Sequence, residues 1–405
     1  MQVAVIGGGA AGFFSAISAK VHHPEAKVTI YEKSDKLLAK VKVSGGGRCN
    51  VTHHCFKVSE LVKFYPRGEK PLKKAFGMFS PTDTIEWFSK RGVELKTEAD
   101  GRMFPTTDSS QTIIDCLMGE VQKLGIGIKT KSPIKKLSAQ DDGFILSFKN
   151  GETKVVDKVI AATGGSPRTQ GFNWLRELGH EIEEPVPSLF TFNMPNERIK
   201  ELMGVVASPA TVRVMGTKLK STGPLLITHW GMSGPAILKL SAFGARMLHE
   251  VDYQFKALLN WTGEKSEDEI REILGDTVKR NPKKKVQNVN PFALAGRLWE
   301  FLLSKIEISD TMIWDNMGKK NINRLVHVLM NDDYQVSGKT TFKEEFVTCG
   351  GISLQDVDIK TMQSKASPNL YFAGEVLDID GVTGGFNFQA AWTTGFIAGK
   401  LEARS

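Results

Sequence analysis

The chain has 405 residues, 41% of them hydrophobic and 24% charged, the composition of an ordinary soluble protein with a core large enough for two or three domains. Its 53 Lys and Arg residues exceed its 45 Asp and Glu residues and give a net charge of +8, but the densest basic run, Lys283–Lys285, is typical of a solvated loop. The four cysteines form no CxxC pair, which argues against a disulfide framework and favours a reducing, cytoplasmic compartment.

The first elements predict a strand, a helix and a second strand. Val3–Ala19 carries no charge, yet no basic segment precedes it, and it is too short and too rich in glycine to span a membrane. We therefore expect no membrane span. Gln2–Ile6 predicts a buried strand, Ala10–Lys20 a helix and Val28–Tyr31 a second buried strand.

A GxGxxG motif at Gly7, Gly9 and Gly12 separates the first strand from the helix, and Glu32 follows 20 residues after Gly12. This is the spacing of a βαβ dinucleotide-binding unit. Gly7 permits a tight turn, Gly9 lets the backbone approach a diphosphate, and the helix N-terminus offers N–H groups to phosphates. We expect Glu32 to accept hydrogen bonds from the adenosine ribose.

The middle of the chain predicts two helices followed by a series of short strands. Thr82–Arg91 and Gln111–Leu124 have helical spacing. Residues 127–160 alternate as strands separated by turns, a β-meander pattern that ends in a predicted strand at Val155–Ala161. Residues 186–260 are also strand-like.

The last third predicts a helical segment and then a second strand–loop–helix unit. Residues 263–337 are helical and polar, with a capping-box pattern at Ser266–Glu269 and a helix at Leu294–Ile306. Leu370–Ala373 predicts a strand that leads through a glycine-rich turn into a helix from about Phe388. A distant second unit of this kind lets an FAD protein reach the ribityl chain and the isoalloxazine ring, whereas NAD alone would not require it. The sequence therefore favours FAD.

A second glycine run stands in Val43–Asn50, VSGGGRCN. Glycines there let backbone N–H groups approach the flavin half of the cofactor, where a Cβ would clash. Arg48 is expected to supply charge for a phosphate or for the flavin carbonyl edge, and Asn50 a polar contact. The start of the last helix, Gly385–Asn387, is expected to direct the positive end of its dipole at the flavin N1/C2 oxygen.

The candidate cofactor-binding residues come from several separate stretches of the chain. They are Gly7, Gly9, Ala11, Gly12, Glu32, Lys33, Lys40, Ser44, Gly45, Gly46, Gly47, Arg48, Cys49, Asn50, Ile134, Ala162, Thr163, Gly164, Gly374, Glu375, Asp378, Gly384, Gly385, Phe386, Asn387 and Phe388. No His, Cys, Asp or Glu cluster has the spacing of metal ligands, so no metal is expected.

These motifs together resemble the aminoacetone oxidase family of FAD-binding enzymes, also described as BaiN-like or YhiN-like flavoproteins. The resemblance spans nearly the whole chain. Besides the two glycine segments it rests on Gly101–Pro105 (GRMFP), Leu226–Pro235, Thr348–Ile352 and the closing segments Ala373–Asp378 and Gly384–Gln389.

The resemblance implies an α/β protein with a glutathione-reductase-like, Rossmann-type FAD domain, an inserted β-barrel domain and a small inserted helical domain. The expected boundaries are residues 1–187 plus 338–405 for the FAD domain, 188–262 for the β-barrel-like substrate domain and 263–337 for the helical insert. Relatives are associated with amine oxidation by oxygen and with reduction of steroid-like enones. No second GxGxxG for NAD(P)H is present.

Few residues point to substrate chemistry. His229, within Leu226–Pro235, is the candidate catalytic base, with a structural role at the Gly231 turn as the alternative. Arg102 is expected either to pair with a carboxylate or phosphate of a ligand or to form an ion pair within its loop. Cys49 is expected to pack or to contact the flavin, because it has no partner thiol.

We predict an FAD-dependent oxidoreductase in which hydride from a small amine-type donor passes to the flavin N5, with oxygen or another acceptor reoxidising the flavin. One alternative is NAD(P)H-dependent reduction of enone or steroid-like substrates. An alternative of another class is an FAD-binding regulator or tRNA-associated flavoprotein, which the charge of +8 supports to some degree. The expected partners are a small-molecule substrate and, transiently, NAD(P)H or oxygen; a nucleic acid is not expected.

Overall fold

The computed structural model describes residues 1–340 and 347–403. The chain divides into two compact units, Met1–Ser188 with Phe342–Ser405 and Leu189–Thr341. The segment 338–405 of the expected FAD domain includes residues 341–346 and 404–405, which lie outside the described residues.

Helices and strands alternate along most of the chain. The helices are α1 Ala10–His22, α2 Ala39–Gly47, α3 Val58–Leu61, α4 Glu69–Ala75, α5 Pro81–Ser89, α6 Ser110–Lys123, α7 Asn173–Arg176, α8 Pro235–Glu250, α9 Glu267–Arg280, α10 Gly296–Lys305, α11 Gly318–Met330 and α12 Phe386–Gly399. Within the described ranges, every helix falls short of the length and apolar character needed to cross a membrane.

The strands are β1 Gln2–Ile6, β2 Lys27–Tyr31, β3 Thr52–His53, β4 Leu95–Thr97, β5 Arg102–Pro105, β6 Gly127–Lys129, β7 Ile134–Gln140, β8 Gly143–Phe148, β9 Thr153–Val156, β10 Lys158–Ala161, β11 Ile182–Pro187, β12 Thr191–Asn193, β13 Val206–Val214, β14 Lys220–Ile227, β15 Gly231–Ser233, β16 Gln254–Asn260, β17 Asp332–Ser337, β18 Lys339–Thr340, β19 Thr348–Ile352, β20 Val357–Asp358, β21 Gln363–Ser364 and β22 Leu370–Phe372.

The first unit is built on a seven-stranded sheet in the order β20-β21-β22-β10-β1-β2-β6. The strands from β22 to β6 run parallel, and the prediction of a Rossmann-type α/β unit is confirmed. Parallel strands end at the same edge of a sheet, which is where such folds bind ligands. This edge therefore collects Gly7, Glu32, Ala162 and Gly374, each of which lies just beyond the end of its strand.

Glycines allow α12 to lie directly against α1. A Cβ on Gly399 would stand 2.5 Å from the carbonyl oxygen of Ser15, and one on Gly395 would stand 3.0 Å from that of Ala11. Neither position has room for a larger residue without a shift of the backbone. This close contact joins the helix that follows β1 to the helix that follows β22.

The predicted β-meander is present, but its last strand is divided. β7, β8 and β9 form a three-stranded antiparallel sheet, whereas β6 and β10 join the main sheet. The prediction of one strand over Val155–Ala161 is therefore wrong. The break falls at Asp157, whose carboxylate accepts the backbone N–H of Gln2 and whose own N–H donates to the carbonyl of Gln2.

The second unit contains a seven-stranded sheet in the order β17-β16-β13-β14-β15-β12-β18 together with helices α8 to α11. One continuous hydrophobic core includes Phe192 of the sheet and Trp299, Trp314 and Leu325 of the helical segment. Because strands and helices share this core, the chain from 189 to 341 is one unit here. A separate β-barrel domain and a separate helical domain stay predictions.

Sequence reasoning missed α8, which lies inside the segment predicted to be strand-like. Gly234 precedes it with a φ of 95°, and Pro235 occupies the first helical position, where its missing N–H costs nothing. Ile237, Leu240 and Leu248 are buried on one face. This helical spacing was visible in the sequence, but the surrounding strand pattern obscured it.

A buried ion pair holds the segment before α12. The guanidinium of Arg67 binds both carboxylate oxygens of Asp380 and donates to the hydroxyl of Ser188 at 3.0 Å. Asp380 is fully buried, and burial raises the pKa of its carboxyl group while Arg67 opposes that shift. The ionised carboxylate of Asp380 depends on Arg67, because without the guanidinium its negative charge would be buried with no opposite charge beside it.

We expect Arg67→Ala to lower the free energy of unfolding by about 3–5 kcal/mol, because it leaves the buried Asp380 carboxylate unpaired. Chemical denaturation measures the loss. The control is Lys63→Ala, which removes an exposed pair with Glu60 and should cost about 0–1 kcal/mol. Equal losses in the two variants would show that the Arg67 pair does not stabilise the unit.

Candidate cofactor-binding site

The first glycine turn has the geometry that a diphosphate requires. Gly7 has a φ of 118°, and a Cβ there would stand 2.2 Å from the carbonyl oxygen of Ala162; one on Gly12 would stand 1.9 Å from the carbonyl oxygen of Gly7. At Gly9, by contrast, nothing lies within 4 Å of the position that a Cβ would take. Gly9 is the N-cap of α1, which has no side-chain cap and no acidic residue in its first turn. The N–H groups of that turn have no acceptor within the helix, so they can bind an anion.

Glu32 lies beside this turn. One carboxylate oxygen accepts the N–H of Gly8 at 2.8 Å, and the other accepts the N–H and the hydroxyl of Ser34 at 2.8 and 2.9 Å. These bonds orient the carboxylate next to the α1 N-terminus, which is consistent with the ribose contact expected of it. Lys33 is exposed, and Ile134 is half-buried as the first residue of β7.

The second glycine run is a left-handed turn at the end of α2. Gly45, Gly46 and Gly47 have φ of 58°, 69° and 85°, values that favour glycine. The turn closes where the N–H of Cys49 donates to the carbonyl of Ser44 at 3.0 Å. At its start, α2 is tied to the first turn, because the N–H of Leu38 donates to the carbonyl of Gly8 at 2.8 Å.

The GRMFP stretch supports this turn from outside. A Cβ on Gly45 would stand 2.7 Å from the ring of Phe104, and the guanidinium of Arg48 lies 4.0 Å from the centre of the same ring. Arg48 pairs with Glu98 at 2.5 Å and with Asp108 at 3.7 Å. The structure thus engages Arg48 with protein carboxylates, and its contact with a phosphate or a flavin carbonyl stays a prediction.

Arg102 forms the loop ion pair that was one of its two expected roles. It binds Asp100 at 2.7 Å and Glu98 at 3.0 Å. Glu98 therefore connects Arg48 to Arg102. Sequence reasoning missed Glu98, because nothing in its neighbourhood marked the pairing with a residue 50 positions away.

Cys49 is fully buried, and its environment suppresses thiolate chemistry. Burial raises the pKa of its thiol to about 12, although a hydrogen bond with Ser44 lowers it somewhat. A thiol acts as a nucleophile only after losing its proton. The geometry therefore favours packing for Cys49, one of the roles expected from the sequence.

Side chains from residues 50–65 hold the N-terminus of α12. With its amide oriented to satisfy both neighbours, Asn50 accepts the N–H of Gly385 at 3.0 Å and donates to the carbonyl of Thr52 at 3.1 Å. The hydroxyl of Tyr65 donates to the carbonyl of Phe386 at 2.7 Å. The second glycine run is thus linked directly to the helix expected at the flavin.

Asn387 stabilises the same turn through its side chain. Its amide oxygen accepts the N–H of Gly381, and its amide nitrogen donates to the carbonyl of Gly381, both at 2.8 Å. The first turn of α12 contains no acidic residue, and Gly385 at its N-cap offers no side-chain cap. The positive end of the helix dipole is therefore not neutralised by its own first turn.

His53 belongs to this region, and the sequence analysis missed it. Its Nδ1 lies 3.0 Å from the carbonyl oxygen of Gly384, and its ring stacks on that of Phe386 at 4.5 Å. The available signal was its position three residues beyond the VSGGGRCN segment. Only the pairing of β3 with β5 places it against the α12 turn.

A third glycine turn, Gly164–Gly165 after β10, lies against Thr348 of β19 and Glu375, which follows β22. The carboxylate of Glu375 binds Lys40 at 2.6 Å and accepts the N–H of Thr348 at 2.8 Å. A Cβ on Gly165 would stand 2.5 Å from the hydroxyl oxygen of Thr348, a buried atom without a hydrogen-bond partner. Lys40 and Glu375 were both predicted as cofactor residues, and they meet across 335 positions of sequence.

These residues fit FAD. Four of the predicted glycines, drawn from three turns of one unit, have no atom within 4 Å of a Cβ position: Gly9, Gly46, Gly47 and Gly164. Backbone amides, a carboxylate and the α12 N-terminus are the groups that a diphosphate, a ribose and a flavin ring bind. FAD would be held by the turn at Gly9, by Glu32 and by the turn at Gly46.

The candidate base His229 belongs to the second unit. It is exposed, and its ring lies 4.3 Å from that of Trp230, whose indole N–H donates to Thr191 at 3.0 Å. The Gly231 turn is closed by Thr228, whose N–H donates to the carbonyl of Gly231 at 2.8 Å. Thr228 thus performs the turn-closing role considered for His229, and catalysis by His229 stays a prediction.

Within residues 1–340 and 347–403, no group of three or more His, Cys, Asp or Glu side chains is placed to hold a metal ion.

Comparisons with known proteins place these features in context. The family profile described as "HI0933-like protein Rossmann domain" matches residues 1–401. The chain is similar to the 3-dehydro-bile acid delta(4,6)-reductase of Clostridium scindens, with 25% identity over 410 residues and 99% of each chain covered. It is also similar to the ribosomal RNA dihydrouridine synthase of Escherichia coli, with 27% identity over 406 residues, covering 96% of this chain and 95% of the relative.

Among solved structures, 3-ketosteroid delta1-dehydrogenase from Sterolibacterium denitrificans has a TM-score of 0.53 at 12% identity, covering 98% of each chain, a likeness of fold alone. The family and its relatives confirm the predictions of FAD as the cofactor and of an FAD-dependent oxidoreductase. The roles of the individual cofactor-binding residues stay predictions.

We expect Gly9→Leu to weaken FAD binding by about 100-fold or more, equivalent to ~2.7 kcal/mol, because the side chain would occupy the space of the diphosphate. Equilibrium binding of FAD to the apoprotein measures this. Gly119→Leu is the matched control, since Gly119 in α6 also has nothing within 4 Å of its Cβ position. Undiminished affinity in Gly9→Leu would contradict the diphosphate assignment.

At about pH 8, we expect iodoacetamide to label Cys49 only in the unfolded protein, because the thiol stays protonated in the folded protein. The unfolded thiol ionises near its ordinary pKa of 9.0, whereas the folded one has a pKa of about 12. The contribution of the protonated Cys49 thiol to the free energy of unfolding is therefore complete below pH 9, and it is lost as the pH rises toward 12. Peptide mass spectrometry of folded and denatured samples checks this; fast labelling of Cys49 in the folded protein would contradict it.

Proposed function

The chain belongs to the HI0933-like protein Rossmann domain family, and from that membership we propose that it is an FAD-dependent reductase of carbon–carbon double bonds conjugated to a carbonyl group. The observation that carries the proposal is that two relatives aligned over nearly the whole chain are named for saturating such a bond. One name specifies a delta(4,6)-reductase and the other a dihydrouridine synthase. Uracil and a 3-keto steroid with a Δ4 double bond both present an alkene beside a carbonyl.

The reaction adds two electrons and two hydrogens to the substrate. The carbon β to the carbonyl gains a hydride, the electron pair of the double bond shifts toward the α-carbon, and that carbon takes a proton. FAD, when bound, supplies the hydride from its reduced ring. A reduced nicotinamide nucleotide is the proposed donor that restores the reduced cofactor, and it would bind transiently because the chain has no second GxGxxG motif.

The residues of the first unit support this chemistry by positioning. The contacts of Asn50, Tyr65 and Asn387 fix the N-terminus of α12, where N–H groups and the helix dipole favour negative charge on a reduced flavin ring. The buried Cys49 thiol does not compete as an electron carrier, because its pKa of about 12 keeps it protonated. Oxidation of a small amine-type donor, the first prediction from the sequence, lacks comparable support from the relatives' names.

The substrate is a second and more specific proposal. Of the two substrate classes, the net charge of the chain favours uracil within RNA. A net charge of +8 attracts a polyanion more strongly than a steroid-like enone that carries at most one carboxylate. This reverses the expectation that a nucleic acid is not a partner. A small-molecule enone remains the alternative substrate within the same reaction.

Two anaerobic half-reactions test the proposed function. NADH or NADPH is expected to bleach the flavin absorbance of the oxidised enzyme, and candidate amines are not. The reduced enzyme is then mixed with uridine-containing RNA or with a steroid-like enone, and mass spectrometry looks for a product that has gained two hydrogens. If amines bleach the flavin and neither RNA nor the enone gains two hydrogens, the proposal of a reductase is wrong, and amine oxidation is favoured instead.

A further inference from the structure

Three exposed lysines surround a cavity at the ends of β6 and β8. Lys129, Lys131 and Lys149, which we call the lysine rim, line a cavity of about 290 Å³ together with Ser132, Pro133, Phe148, Asn150 and Glu152. The lysines come from three positions in the chain: the end of β6, the connection to β7 and the turn after β8. Their convergence is a property of the fold and not of a basic run in the sequence.

Backbone hydrogen bonds hold the rim in place. The N–H of Lys131 donates to the carbonyl of Ser34 at 2.8 Å, and the N–H of Lys149 donates to that of Pro133 at 3.1 Å. The carbonyl of Lys129 accepts the N–H of Glu32 at 2.8 Å. The stems of the lysines therefore start from ordered backbone, and only their flexible side chains reach into solvent.

The rim carries more positive than negative charge. In the part of the chain that the structure describes, none of the three lysines makes an ion pair, and Glu152 is the acidic residue that lines the cavity. The carboxylate of the nearby Glu32 is already engaged with Gly8 and Ser34. The cavity floor includes Phe148, which is 8% exposed and packs on Tyr31 at 5.2 Å.

We propose that the lysine rim is a docking surface for the phosphate backbone of RNA. Ammonium groups on flexible stems neutralise phosphates without reading bases, and Ser132 and Asn150 add polar groups of the kind that contact phosphate and sugar. The proposal rests on the proposed function in its RNA form and adds where the polyanion is held. Three lysines match the successive phosphates of RNA, whereas a small enone with at most one carboxylate could engage only one of them.

The test uses the FAD-loaded protein and a triple variant, Lys129→Gln, Lys131→Gln and Lys149→Gln. Affinity for a fluorescent single-stranded RNA is measured at several salt concentrations. We expect about 10-fold weaker binding or more near 0.1 M salt, and a slope of log affinity against log salt that is shallower by about 2, since each phosphate contact contributes roughly 0.7.

Lys283→Gln, Lys284→Gln and Lys285→Gln together form the matched control, because they remove the same charge from three exposed lysines elsewhere. The proposal expects wild-type RNA affinity in this control, and wild-type FAD affinity and wild-type reduction of the flavin by NADH or NADPH in the rim variant. Equal losses in the two triple variants would overturn it, because net charge alone would then explain binding. A loss of FAD in the rim variant would also overturn it and assign the rim to the cofactor.

Binding and turnover separate this proposal from the proposed function. A wild-type protein that binds RNA through the rim and reduces no uracil contradicts the proposed function and leaves the surface in place. If the wild-type protein reduces uracil in RNA and the rim variant binds RNA as tightly as wild type, only the proposed docking surface is contradicted. Displacement of the RNA by millimolar inorganic phosphate, with no dependence on RNA length, would show a site for a single phosphate and overturn the docking surface.

Discussion

Close backbone contact at glycine positions is the constraint on which the first unit depends. The Cβ of any other residue at Gly7 or Gly12 would lie 2.2 and 1.9 Å from a carbonyl oxygen, far closer than van der Waals contact allows. The same absence of side chains lets α12 lie on α1 at Gly399. Since β1, α1, β10 and α12 meet through these contacts, the arrangement of the candidate cofactor-binding turns at this edge of the sheet depends on them.

The second glycine run extends this arrangement to the N-terminus of α12, the predicted flavin contact. Its left-handed turn leaves open space at Gly46 and Gly47, and the residue that ends the motif, Asn50, binds the N-cap of α12 at Gly385. Outside the turn, Phe104 and Glu98 support it through Gly45 and Arg48. The motifs GRMFP and VSGGGRCN are thus parts of one structure.

Charge is arranged differently around the predicted flavin and around the lysine rim. Near the predicted flavin, Lys40 is paired with Glu375, and the thiol of Cys49 is buried and protonated. Such surroundings leave the redox chemistry to FAD. The lysines of the rim, in contrast, are exposed and without ion pairs among the described residues, the state in which a cation can bind a phosphate with little loss of protein contacts.

The sequence by itself determined the Rossmann-type unit, the glycine turn before α1, FAD and the capping box at Ser266, because each follows from local spacing or from a motif within a few residues. Tertiary structure alone decided which partners the side chains have: Glu98 for Arg48, Glu375 for Lys40, and the α12 turn for His53. It also divided Val155–Ala161 between two sheets and placed both inserted segments on one core. Such partners lie as far as 335 positions apart, and no local pattern records a contact that only folding creates.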